Sequence, residues 1–199
     1  MPQHEAFDQA RTALRRASEA LELTQSASSF EKYDDYWESF LTNLTEVYNK
    51  MANAKSHSSG IAEAVKEIFS VRESDPLLSY LKAARDARTH GLAKVVKEAP
   101  GGIFTNFPTG IISGRIDYIG YDAEGKYIVK TDIEGIDVKK RDFWASMISA
   151  EDTRGKSVKI YHPPSEHLGK MIYTIDPYDI GKMAVTWYNE KIDILNNML

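Results

Sequence analysis

At 199 residues, with 42% hydrophobic, 11% aromatic and 27% charged side chains, the chain has the composition of a globular protein able to bury a full core, which excludes disorder and fibrous repeats. Lys and Arg total 25 against 29 Asp and Glu, a net charge of −4, which excludes a surface that grips nucleic acid all over but leaves room for a local basic patch. Cysteine is absent, which excludes disulfides, thiolate zinc sites and a cysteine nucleophile and fits a reducing compartment.

The opening MPQHEAFDQARTALRR carries charges where a secretory signal needs an apolar run. No window approaches the ~18 apolar residues of a membrane span, so a cytoplasmic protein without membrane contact is expected. Phe7, Ala10, Leu14, Ala17 and Leu21 recur at steps of three and four and predict a helix with one buried stripe. Arg11, Arg15, Arg16 and Glu19 take its other face. Ser26-Ala27-Ser28-Ser29 ends the pattern, because small hydroxyl residues favour loops and N-caps.

A second helix follows, with Tyr33, Trp37, Phe40, Leu44, Val47 and Met51 on its face, and its aromatic bulk predicts the centre of a helical core. Ala54 to Gly60 reads as a loop, and Ile61, Ala64, Val65, Ile68 and Phe69 as a shorter amphipathic helix. Asp75-Pro76 opens a fourth helix, the Asp as cap and the Pro at the first helical position. Its buried side is read as Leu77, Leu78, Leu81, Ala84, Leu92, Val95 and Val96, with Pro100-Gly101-Gly102 as its end.

Beyond residue 102 the period shifts toward two. Ile112, Ile116 and Tyr118 share one side of a strand, and Asp122-Ala123-Glu124-Gly125 separates it from Tyr127-Ile128-Val129, which predicts a hairpin. Further β-rich stretches at 133–138 and 158–161 lead to His162-Pro163-Pro164, where two prolines stop the ladder. Asp176-Pro177 repeats the cap-then-Pro opening. Ile180, Met183, Ala184, Trp187, Tyr188 and Leu195 then predict a terminal helix. The predicted class is α+β: a four-helix bundle over residues 1–100, then an antiparallel β region with the terminal helix over 101–199, packed on the bundle as one unit.

The fourth helix contains Leu77-Leu78-Ser79-Tyr80-Leu81-Lys82-Ala83-Ala84-Arg85-Asp86-Ala87-Arg88-Thr89-His90-Gly91, in which an Arg is followed by a polar residue and, five positions on, by a His. With its Asp-Pro-Leu-Leu opening and the long aromatic helix before it, this segment resembles the HEPN superfamily, helical bundles that include metal-independent endoribonucleases of toxin–antitoxin and phage-defence systems. Residues 1–98 carry the resemblance. It implies Arg85 and His90 as catalytic residues, RNA as substrate, a homodimer whose two motif helices share one cleft, and an antitoxin or other protein as partner. No cofactor or metal is implied. Arg85 would hold phosphate oxygens through its planar donors, and His90 would act as acid or base. Five residues turn a regular helix by about 140° beyond a full revolution, so the pair shares no face within one chain. Asp86 stands where that superfamily often has Asn, and an anion there either orients His90 or weakens phosphate binding.

Lys82, Arg85 and Arg88 step by three and form a candidate RNA-binding track. The structural alternative pairs them with carboxylates and leaves His90 to satisfy carbonyls in the last helical turn. His162 and His167, with Glu166, offer two imidazoles and a carboxylate, but the irregular Pro-rich spacing sets no metal geometry, and an ordinary loop is the expectation. Tyr118, Tyr121 and Tyr127 are read as sheet packing before base stacking. The alternative to a ribonuclease is a non-catalytic interaction or ligand-binding protein that keeps the helical scaffold.

Overall fold

A computed structural model describes the backbone of residues 3–54, 59–91, 93–106, 116–121, 127–131, 137–152 and 158–198, and side chains within 5–54, 59–89, 93–101, 143–151 and 158–198. Five helices are present among them: α1 (Gln3–Gln25), α2 (Phe30–Asn53), α3 (Ser59–Ser74), α4 (Pro76–Gly91) and α5 (Pro177–Asn196). Eight strands among the described residues pair two by two: β1 (Val96–Asn106) with β4 (Asp137–Met147), and, antiparallel, β2 (Ile116–Tyr121) with β3 (Tyr127–Thr131), β5 (Ala150–Asp152) with β6 (Lys159–Tyr161), and β7 (Glu166–His167) with β8 (Lys170–Met171). The class is α+β.

The chain divides into two compact units, residues 1–98 with 145–199, and residues 99–144. The division therefore differs from a boundary near residue 100: the terminal helix and the segment leading to it belong with the helical bundle. In the smaller unit β2 and β3 make the expected hairpin, Tyr121 opposite Tyr127, with a register irregularity between Ile116 and Tyr118. The side chains of Tyr118, Tyr121 and Tyr127, and Ile112 altogether, lie outside the described residues.

In the larger unit the capping residues start helices where the sequence places them. Ser29 Oγ accepts the Lys32 N–H of α2 at 3.3 Å, and Asp176 Oδ1 accepts the Tyr178 N–H of α5 at 3.0 Å. The stripe Phe7, Ala10, Leu14, Ala17 and Leu21 of α1 is buried, as are Tyr33, Trp37, Phe40, Leu44, Val47 and Met51 of α2. α1 lies against both α2 and α5. At Gly181 of α5 an added Cβ would stand 2.7 Å from a Leu21 methyl and 3.2 Å from Phe40 Cζ, so any larger residue there would force the Leu21 side chain to shift.

α4 is shorter than expected. It ends at Gly91, and Val95 and Val96 are buried as predicted but beyond the helix, Val95 at a bend and Val96 as the first residue of β1, with Ile148 N–H donating to Val95 O at 3.1 Å. Glycine ends a helix readily, and two adjacent β-branched residues gain more from a ladder than from a further turn. Tyr80 on α4 locks this crossing: its buried hydroxyl donates to Ile148 O at 2.6 Å and lies 3.4 Å from Val95 O. Burial raises its pKa well above the ordinary phenol value.

Candidate functional site

The stripe on α4 is matched to carboxylates of its own chain. Lys82 Nζ sits 2.6 Å from both Glu73 oxygens at the end of α3. Arg88 reaches α2, where Nη1 donates to Asp34 Oδ2 at 2.7 Å and Nη2 donates to Glu38. Burial pushes the Arg88 pKa down, but the hydrogen bonds and charges of Glu38 and Asp34 outweigh it and leave the guanidinium above its ordinary value. Arg85 folds back so that Nη1 meets Asp86 Oδ1 at 2.9 Å, with Asp86 itself 6% exposed. Asp86 is therefore an interior anchor for Arg85. The side chain of His90 lies outside the described residues.

These pairings turn a candidate phosphate track into the polar seam that joins α4 to α2 and α3. Asp34 and Glu38, four residues apart on α2, make one acidic edge, and Arg88 bridges both. Arg88→Ala is expected to cost about 2 kcal/mol in urea unfolding, because the part-buried Asp34 and the more exposed Glu38 lose their cation together. Arg88→Lys should recover about half, since a single ammonium does not span both.

A second constellation involves the carboxy-terminal loop that the sequence reading treats as ordinary. Asp75, whose side chain is 2% exposed, has three partners. Its Oδ1 accepts the Leu78 N–H at 2.9 Å, which caps α4, and lies 2.9 Å from His167 Nδ1; Oδ2 accepts the Leu168 N–H at 2.7 Å. Leu168 and Gly169 join β7 to β8 in two residues, with φ of 50° and 77°. Positive φ at both positions is the mirror-image turn that suits a tight hairpin, and glycine takes it freely while leucine does not. The bond from Asp75 to Leu168 holds the strained residue in place. Backbone strain of this kind persists where surrounding structure over-determines it, often beside a binding site.

The clamped turn overhangs α5, and the two enclose a groove of about 590 Å³. Leu168, Met183 and Trp187 supply its apolar surface; His167, Thr174 and Thr186 are its imidazole and hydroxyls; Lys170, Lys182, Asp179 and Glu190 are its charges. Its volume lies within the range of small-molecule sites, which combine an apolar lining with a few placed polar groups.

His162 and His167 do not converge. His162 Nδ1 is 3.0 Å from Ser149 Oγ, whereas His167 faces Asp75. Among the described residues no group of three or more His, Cys, Asp or Glu stands together as a metal site. Nor is any described helix long and apolar enough to cross a membrane.

Comparison of the chain with protein-family models, curated proteins and solved structures returned no match.

Proposed function

We propose that the chain is a non-catalytic, ligand-binding protein built on a HEPN-like helical scaffold, and that it binds a small molecule in the groove between the 167–174 segment and α5. The observation that carries this reading is the groove itself: concave, about 590 Å³, with an apolar floor and an imidazole fixed by a buried carboxylate. A small-molecule fragment set should perturb amide NMR resonances of residues 167–174 and 182–190. Thr186→Trp, at an exposed groove position, should fill the space and weaken such binding at least about tenfold while leaving the melting temperature unchanged. Fragments that leave every groove resonance unmoved would defeat the reading.

A second reading is RNA cleavage by Arg85 and His90 across a homodimer. One observation favours it: Arg85 remains 28% exposed, and among the described residues Nη1 alone of its donors is engaged, so donor capacity remains for a phosphate. Under this reading the purified protein cuts single-stranded RNA in EDTA, and both Arg85→Ala and His90→Ala reduce cleavage at least about a hundredfold. Under the ligand-binding reading no such cleavage is seen.

A further inference from the structure

The lining of the groove is unequal in how firmly its polar groups are aimed. Lys170, Lys182, Asp179 and Glu190 are all exposed, two of each sign, so the rim carries no net charge and, Asp179 apart, ends in exposed, flexible side chains. Such flexible ends adapt to many ligands and select few. The hydroxyls are already committed. Thr186 Oγ1 donates to Lys182 O at 3.0 Å, and Thr174 Oγ1 donates to Asp179 Oδ2 at 3.2 Å while accepting the Asp176 N–H at 3.0 Å.

His167 differs from all of these. The Asp75 carboxylate already accepts from two backbone N–H groups, which can only donate, so it faces His167 as an acceptor and the ring proton sits on Nδ1. In the neutral ring this tautomer leaves Nε2 with a lone pair. Among the described residues Nε2 has no protein partner, and Asp75, at the other edge of the ring, is not part of the groove wall. The imidazole is thus held by one nitrogen, with the other available as an acceptor to whatever occupies the groove.

We propose that His167 Nε2 selects the ligand, which is a small uncharged molecule with a flat or compact apolar body and one O–H or N–H donor directed at this nitrogen. The apolar body covers Trp187, Met183 and Leu168, and the balanced rim gives neither an anion nor a cation an advantage. A ligand without the donor leaves the lone pair desolvated and unpaired, which is where the discrimination arises. This assignment rests on the groove being a ligand site.

The test compares three naphthalenes as probes, 2-naphthol, 2-methoxynaphthalene and 2-naphthoate, titrated into the full chain at about pH 8. Binding is followed by calorimetry and by shifts of groove amides. The expected result is a Kd for 2-naphthol about tenfold below that for 2-methoxynaphthalene, a gap that His167→Phe closes. Equal Kd values for these two in the wild-type protein overturn the role of His167 while the groove reading stands, and this comparison needs no variant to fold. Tightest binding by 2-naphthoate overturns the uncharged class. If no probe moves a groove amide, the site fails and the selection proposal fails with it.

Discussion

Asp75→Ala is expected to lower the unfolding free energy by about 3 kcal/mol or more, the largest loss from any single polar truncation considered for this chain. The reason lies in how many groups one buried carboxylate serves. Removing it leaves the first turn of α4 without its cap on Leu78, and leaves the Leu168 N–H and the His167 ring proton without acceptors. A helix cap alone is worth about 1 kcal/mol, and each of the two part-buried donors left unpaired adds on the order of 1 kcal/mol. Leu168, at a φ of 50°, loses the contact that holds its strained conformation, so the β7–β8 turn should open and the groove lose its roof. Asp75→Asn keeps one acceptor oxygen and should cost about half as much. Urea unfolding gives the energies, and hydrogen exchange at Leu168 and Lys170 reports the turn. A loss below about 1 kcal/mol, with the turn still protected, would show that the carboxylate is dispensable.

The same residue marks how far the sequence could be read. Asp75-Pro76 is a legible helix opening, because cap and proline act within one turn. Its grip on His167 and Leu168 spans 92 and 93 positions along the chain, and no local pattern records it. The stripes of α1 and α2 were legible for the opposite reason, since burial of one face imposes a period of three and four that a few residues suffice to show. Leu92, Val95 and Val96 extend the apolar pattern of α4 without a gap, and period alone does not separate a buried strand from another helical turn; the separating signal was Gly91.

The basic stripe was legible as a stripe but not as a seam. Lys82, Arg85 and Arg88 recur by threes whether they face water, phosphate or another helix. The outcome depends on which edge of α2 is turned toward α4. The pair Asp34 and Glu38, four apart, defines that edge, and it is the structure that shows which carboxylates the stripe meets. His-Leu-Gly at 167–169 is a comparable case. Its glycine announces a turn, while the groove beneath it exists only because α5 returns to that place.

Stability should fall steeply above about pH 10, and three tyrosines set that limit. Burial raises Tyr80 and Tyr188 well above the ordinary phenol value; nearby Arg72 lowers Tyr188 but does not offset its burial. Tyr178 is pushed up to about 12, first by partial burial and then by its hydrogen bond to Glu22, whose two oxygens lie 2.9 and 3.0 Å from the hydroxyl and tie α5 to α1. In each case the folded protein holds its proton more tightly than the unfolded chain, which releases it near pH 10. Below that pH the stabilisation is complete, and it is lost as pH rises toward the folded-state values, because the unfolded state then binds fewer protons. Tyr80 and Tyr188, the two buried hydroxyls, should account for most of this loss. Tyr178, more exposed, should contribute less because solvent screens it. Tyrosine absorbance should therefore show a late ionisation phase that coincides with loss of helical circular dichroism. Tyr80→Phe should cost about 1–2 kcal/mol at pH 7, since Ile148 O loses its donor, yet flatten the alkaline limb by removing a group that must ionise. Tyrosine ionisation that is complete near pH 10 with the helices intact would contradict the burial of the Tyr80 and Tyr188 hydroxyls.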